Sequence, residues 1–341
     1  MVTIVDVARA AGVSKSTVSR AFTEPASVRP HTLQCVTQAA KLVNYTPNAI
    51  ARAMITKKTE NIGFIIYNLQ APAIMNPFYG PILESVVELM AQRGYSIFIS
   101  SDAGLAHNSG ELMLRRQVDG VILASQTSAA IVKSFTGRGI PVVLLNYHIN
   151  MGGVYSILSD DAGGIMNAVR YLFDAGHRSI GFIEGRFTRF IVRRRHQGFA
   201  SAVKAYGLSV MPDFCAEVEP VIEDAFDKVY AMLGRKKRPS VLLCTNDVVA
   251  VGAVKAALRR GLRVPEDISV IGYDNSELCA ACQPAITSID TNTRELGKMA
   301  VEYLFKQIRG EKPESTTVTV GTRLVERESV AIKSNQLRRR R

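Results

Sequence analysis

Thr3-Ile-Val-Asp-Val-Ala-Arg-Ala-Ala-Gly-Val-Ser-Lys-Ser-Thr-Val-Ser-Arg20 decides how the chain begins. Ile4, Val7, Ala8 and Ala11 recur at i, i+3, i+4 and i+7, which puts them on one face of a helix. Thr3 and Asp6 stand three apart, the spacing of a helix start that satisfies its own first amides. Gly12 falls where that helix must stop, because glycine readily takes the left-handed backbone that closes a helix. Ser14 then caps a second helix whose apolar side is Val18, Ala21 and Phe22. Pro30, Leu33, Val36, Ala40 and Val43 outline a third, with Pro30 in its first turn. Two helices joined by a tight turn, the second polar on its outer side, make a helix-turn-helix. Ser16, Ser19 and Arg20 point away from the apolar face, and Lys15 sits at the helix start. Hydroxyl, ammonium and guanidinium groups are what phosphates and base edges bind, so double-stranded DNA is the expected partner. A solvated helix face has the same spacing, and charge must arbitrate.

The net charge of the 341 residues is +12. Residues 1–60 hold eight Lys and Arg against three Asp and Glu, and Arg338–Arg341 add four positive charges more. Charge gathered on a small N-terminal segment is the footprint of a polyanion-binding module. An apolar fraction of 47% excludes a wholly disordered chain. No apolar run is long enough to span a bilayer. Asp6 and Arg9 interrupt the N-terminal stretch where a signal peptide needs an apolar core, so a cytoplasmic location is expected. Five scattered cysteines fit a reducing compartment. Cys279 and Cys282 form a C-x-x-C without a second ligand pair and closed by Pro284, so no metal or cofactor is expected.

From Ile62 the pattern changes to apolar strand runs separated by helical stretches that often end at glycine (Gly94, Gly139, Gly176, Gly207, Gly261). The runs are Ile62–Tyr67, Tyr95–Ser100, Val118–Ala124 and Pro141–Asn146, then Ser179–Glu184, Ser240–Thr245 and Ile268–Tyr273. Alternating strands and helices imply doubly wound parallel sheets, and this length implies two lobes. Ligand groups then sit at the carboxyl ends of the strands, facing a shared cleft. Asn246-Asp247 and Asp274 occupy such ends. Asp247 is expected to cap the helix Val248–Arg260, and Asp160 and Asp161 to cap the one after them. His177 is expected to be structural. No G-x-G-x-x-G, H-E-x-x-H or G-x-S-x-G is present, which argues against an enzyme. A transported-solute binder is the competing class, and the helix-turn-helix weighs against it.

The N-terminal stretch resembles the lactose/galactose-repressor (LacI/GalR) family, and so, in order, do further segments. These are Tyr45-Thr-Pro-Asn-Ala-Ile-Ala-Arg-Ala-Met54, Asn76-Pro-Phe-Tyr79, Val118-Asp-Gly-Val-Ile122, Gly176-His-Arg-Ser-Ile-Gly181, Arg195-x-x-Gly-Phe199, Thr245-Asn-Asp247 and Val264-Pro-Glu-Asp-Ile-Ser-Val-Ile-Gly-Tyr-Asp274. The resemblance implies a homodimeric transcription regulator, most often a repressor, that binds a pseudo-palindromic operator. It implies a periplasmic-binding-protein-like core sensing a small molecule. DNA contacts are implied for Thr3, Ser14, Lys15, Ser16, Thr17, Ser19, Arg20 and Tyr45, and for a hinge helix with Asn48, Ala51 and Met54. Met54 stands where a leucine usually wedges into the minor groove, and it is apolar and of similar volume.

For the effector, the resemblance implies contacts from Asp274 and Asn246 to hydroxyls or ring nitrogens and from Arg195 at a helix start. Phe78 and Tyr79 supply an apolar wall, and Arg189 lies where purine-sensing relatives place a ligand-contacting arginine. The implied division is 1–46 for the DNA module, 47–60 for hinge and linker, and 61–341 for the sensor core. Lobe one takes about 61–158 and 291–320, lobe two about 159–290 and 321–337. The C-terminus lacks an apolar heptad, so a dimer is expected rather than a coiled-coil tetramer. Arg186, Arg189, Arg193, Arg194 and Arg195 favour an anionic effector such as a sugar acid or sugar phosphate. A neutral sugar and a nucleobase co-repressor are the alternatives.

Overall fold

Ile62, Phe64 and Ile66 of strand β1 (Asn61–Tyr67) pack on one side of a sheet, and Ile65 and Tyr67 on the other, all fully buried. A strand buried on both faces must run through the middle of a sheet covered by helices on both sides. The computed structural model, describing residues 2–46, 58–67, 75–102, 108–115, 117–186, 188–312 and 315–333, has two such sheets.

The N-terminal module is α1 (Ile4–Ala11), α2 (Lys15–Thr23), a 3₁₀ turn at Pro25–Ser27 and α3 (Pro30–Leu42). Val7, Ala8, Val18, Ala21, Val36, Ala39 and Ala40 form its core, with Phe22, Leu33 and Tyr45 against it. Gly12 ends α1 at φ 64°, where its amide bonds back onto the helix. The side chain of Arg29 makes no cap for α3, which relies on Pro30 in its first turn.

Lobe one begins with β1, α4 (Tyr79–Gln92), β2 (Ser96–Asp102), α5 (Asn108–Arg115), β3 (Gly120–Ala124), α6 (Ala129–Thr136), β4 (Val142–Leu145) and β5 (Val154–Ser159). Lobe two follows with α7 (Asp161–Asp174), β6 (Ser179–Gly185), α8 (Arg189–Tyr206), β7 (Ser209–Val218) and α9 (Ile222–Leu233). It continues through β8 (Val241–Cys244), α10 (Asp247–Arg259), β9 (Ser269–Asp274), α11 (Glu277–Ala281) and β10 (Thr287–Asp290). The chain then returns through α12 (Thr293–Ile308) and β11 (Thr317–Val320), and ends the second sheet with β12 (Arg323–Val325). It therefore passes between the sheets after β5, after β10 and after β11.

The strand orders are β11-β5-β4-β3-β1-β2 and β12-β10-β9-β8-β6-β7. Every pairing is parallel except β10 with β12. The expected runs recur as β1, β2, β3, β4, β6, β8 and β9, all central except β2, which ends the first sheet. Those the pattern missed (β5, β7, β10, β11 and β12) are mostly sheet edges or short. β7 is half exposed and contains Pro212, and its pairing with β6 slips register between Ile180 and Phe182. An edge strand carrying proline shows neither a continuous apolar run nor a clean alternation.

Candidate functional site

In the N-terminal module the second helix presents Lys15, Ser16 and Arg20 to solvent, with Thr17 and Ser19 partly covered. Ser14 accepts the Thr17 amide at 3.1 Å, and its hydroxyl meets those of Ser16 at 2.7 Å and Thr17 at 2.8 Å. Three hydroxyls expected at the DNA surface are thus linked to one another around the cap. Thr3 donates from its amide and hydroxyl to Asp6, whose carboxyl these bonds hold below the usual carboxylate range. Tyr45 packs its ring 5.9 Å from that of Phe22, fixing where the chain leaves the module. Asn48, Ala51, Met54 and Arg338–Arg341 lie outside the described residues.

The second site follows from topology. The first sheet reverses its order between β1 and β3, the second between β6 and β8, and such switch points open a crevice at the strands' carboxyl ends. The two crevices face each other across a cavity of about 630 Å³. Met75 to Tyr79 follow β1, Ser125 and Gln126 follow β3, and Asn146 follows β4 on its lobe-one wall. Arg186, Thr188, Ile191, Arg195, Asn246 and Asp274 line lobe two, with Val221, which precedes α9, and Ile222 and Glu223 of its first turn beside them. Phe78, Tyr79, Arg195, Asn246 and Asp274 are therefore brought together as expected. The side chain of Arg189 lies outside the described residues.

Arg195 is the electrostatic centre. It is 3% exposed, bonds Asp161 at 3.0 Å, stands 3.6 Å from Asp274 and donates to the Thr245 carbonyl. Its guanidinium lies over the Tyr273 ring at 4.2 Å. Burial acts to lower its pKa, but Asp161 and Asp274 together hold it above the ordinary arginine value. Burial pushes the Asp274 carboxyl well above the usual carboxylate range, against the pull of Arg195. Burial likewise raises the Tyr79 hydroxyl to about 12, although Ser125 hydrogen-bonds it.

The other arginines of the cluster go elsewhere. Arg186 bonds Glu217 at 2.7 Å and also Glu219. Arg194 donates to the Ser159 carbonyl and lies 3.5 Å from Asp161, and Arg193 is exposed. Arginine count did not translate into net positive charge, because each described arginine at the cavity has acidic neighbours from another element. By contrast, the Asp274 Oδ1, Asn146 Oδ1 and Thr188 Oγ1 atoms are buried with no hydrogen-bond partner among the described residues.

Two expectations exchange places. Asn246 caps α10, accepting the Val249 amide at 2.9 Å, while still lining the cavity. Asp247, expected to be that cap, instead turns inward to Ser276 and Ser288. Asp160 caps α7 through the Gly163 amide, whereas Asp161 serves Arg195 rather than capping. His177 is structural, bonded to Ser240 at 2.8 Å and the Ala331 carbonyl at 3.1 Å. Cys279 and Cys282 are free thiols, Cys279 buried. Asn146 and Thr188 carry no motif, and only the strand-end rule could have pointed to them.

The Arg195-x-x-Gly-Phe199 motif also becomes intelligible. A Cβ on Gly198 would stand 2.5 Å from the Ala162 carbonyl oxygen, so glycine is what lets α8 lie against α7 and deliver Arg195 to Asp161. Phe199 stacks on Phe182, with ring centres 4.1 Å apart.

A helix-turn-helix ahead of two lobes that enclose a ligand-sized cavity defines a class, the DNA-binding regulators with a periplasmic-binding-protein-like core. Residues 3–48 match the family described as bacterial regulatory proteins, lacI family, and 169–330 match the periplasmic binding protein-like domain. The HTH-type transcriptional repressor PurR of Pasteurella multocida (strain Pm70) is 34% identical over 339 residues, covering 97% of this chain and 99% of its own. The lac repressor dimer bound to operator and the anti-inducer ONPF aligns with a TM-score of 0.82 at 26% identity, covering 97% of this chain and 99% of that one. A transcriptional regulator CelR-cellobiose complex gives 0.71 at 26%, with 96% and 100% covered. The chain belongs to the LacI family: it is a DNA-binding transcriptional regulator and not an enzyme. No helix among the described residues is long and apolar enough to cross a membrane.

Proposed function

We propose that this regulator represses transcription as a homodimer on a pseudo-palindromic operator, and that a neutral, donor-rich small molecule in the cleft controls it. Residues 1–46 read the operator through Lys15, Ser16, Ser19 and Arg20, with Thr3, Ser14, Thr17 and Tyr45 contacting or positioning the backbone. Residues 47–60 form the hinge, where Asn48, Ala51 and Met54 meet the minor groove. Residues 61–341 form the sensor, and effector binding changes how readily the hinges meet, as a population shift between two lobe arrangements.

The observation that carries the effector class is the set of orphaned acceptors. Asn146 and Thr188 line the cavity with Oδ1 and Oγ1 buried and without hydrogen-bond partners among the described residues, and Asp274 Oδ1 has only its 3.6 Å ion pair with Arg195, while Arg186 and Arg195 already have carboxylates. Buried acceptors left alone are costly, so a ligand bringing hydroxyl or N–H donors relieves them. An anion finds no uncommitted described guanidinium and meets Asp274 and Glu223 in the lining. A sugar suits these acceptors. A nucleobase is the second reading, because Phe78 and Tyr79 across from Ile191 and Val221 offer a flat ring apolar walls.

Titration calorimetry with matched pairs tests the class: cellobiose against cellobionate, ribose against ribose 5-phosphate, and uncharged nucleobases. Binding of a neutral member that alters operator retention, and that Asp274→Asn abolishes, supports the reading. Binding confined to the anions overturns it.

A further inference from the structure

Asp274 is held in an unusual backbone. Its φ is 104° and that of Asn275 is 55°, two consecutive non-glycine residues in a region that side chains disfavour. Such conformations persist only where surrounding structure over-determines them. The bonds that do so converge on Asp247. Its Oδ2 accepts the Ser276 amide at 2.6 Å, and its Oδ1 accepts the Ser288 hydroxyl at 2.6 Å. The Ser288 oxygen in turn accepts the Asn275 amide at 3.1 Å, and Arg327 donates to the Asn275 side chain at 2.7 Å.

Asp247 itself is 1% exposed and does not line the cavity, although its neighbours Asn246 and Val248 do. Nor is it needed as a cap, since Asn246 fills that place. β9 makes room for it: a Cβ on Gly272 would stand 2.4 Å from Asp247 Oδ1. A buried carboxylate given a glycine's worth of space and two short bonds to the loop beyond Asp274 has one evident use.

We propose that Asp247 is a positioning residue: with Ser288 it holds the 274–276 backbone so that the Asp274 carboxylate faces Arg195 and the effector cavity. The importance of this placement rests on the effector reading above, but the placement can be tested without any ligand. Because Ser288 lies in β10, the last strand before the chain returns to lobe one, the same bonds join the Asp274 loop to a crossover between the lobes.

The experiment compares full-length wild type with Asp247→Ala, Asp247→Asn, Ser288→Ala and Asp274→Asn, by crystal structure and by NMR of the arginine side-chain N–H groups. In Asp247→Ala and Ser288→Ala, residues 274 and 275 are expected to leave positive φ. Asp274 then moves beyond 4 Å from Arg195, and the Arg195 signal shifts toward its position in Asp274→Asn. Asp247→Asn keeps one acceptor oxygen and falls between. An unchanged 274–276 backbone and Arg195 signal in Asp247→Ala, with only a lower melting temperature, overturns the proposal. Should Asp247→Ala not fold, Ser288→Ala, which removes a single oxygen atom, decides by the same two readouts. If Asp274→Asn leaves effector control of operator binding intact, the effector reading fails while the positioning result stands.

Discussion

Arg195 Nη2 lies 3.6 Å from Asp274 Oδ1, and the same guanidinium bonds Asp161 at 3.0 Å from the strand-to-helix crossover between the lobes. Asp161 opens α7, Arg195 sits in α8 and Asp274 ends β9, so one buried cation ties together three elements far apart in sequence. Asp161 balances its charge while burial pushes Asp274 toward its neutral form, and this balance, not the number of arginines nearby, sets the character of the cavity.

Removing Arg195 leaves Asp161 and Asp274 buried without their counter-ion. Arg195→Ala is expected to lower unfolding stability by about 3–5 kcal/mol, as for other broken buried ion pairs. Adding Asp274→Asn should restore part of that loss, and a double-mutant cycle by urea denaturation reads the coupling. Additive effects would mean that the two side chains do not interact.

His177 gives a pH dependence. Burial, then the charge of Lys333, lower its pKa to about 4 from 6.5. The folded state therefore takes up this proton less readily than the unfolded one. The corresponding stability is complete above pH 6.5 and is lost as pH falls through about 4, a span of about 3 kcal/mol. Between pH 7 and pH 4 the stability difference between wild type and His177→Asn should move by that amount against wild type. Parallel denaturation profiles would contradict this.

Gly198→Ala tests the close approach of α8 to α7. The added methyl group meets backbone rather than a flexible side chain, so the helices must separate. A loss of about 1–3 kcal/mol is expected, typical of overpacking. Effector affinity should fall as well, because Arg195 moves with α8. Wild-type melting and affinity would show that the contact has slack.

On the DNA side, Arg20→Ala should weaken operator binding by about 1–3 kcal/mol and relax preference at one base per half-site. Lys15→Ala should weaken binding evenly across sequences and reduce the salt slope by about one. Retention assays on operator and scrambled duplexes over a salt series separate the two. An equal effect of both variants on both duplexes would place the reading surface elsewhere.

Met54→Ala is expected to reduce operator affinity and DNA bending while sparing dimerisation and effector binding, since an apolar wedge offsets unstacking by permitting a bend. Unchanged bending in the variant would remove Met54 from that role.

Local chemistry was enough to read the N-terminal module: i, i+3, i+4 spacing, Gly12 at a helix stop and Ser14 at a cap are properties of neighbouring residues. Most central strands were legible for the same reason, because strands buried on both faces are continuous apolar runs; β5, whose run is broken by Ser156, and the short β10 were not. The edge strand β7 was not legible either, since it carries Pro212 and exposes half its residues. Strand ends pointed to Asp274 and Asn246 as candidate site residues, and the resemblance to known regulators added Arg195. What most of the charged residues around the site do depended on partners 29 to 79 positions away. Arg195 finds Asp161, Arg186 finds Glu217, Asp247 finds Ser276 and Ser288, and Asn246 takes the cap expected of Asp247. Sequence alone counts charges along a helix. Only the tertiary structure decides which are cancelled, because Coulombic pairing and desolvation act through space between elements that the order of residues leaves unrelated.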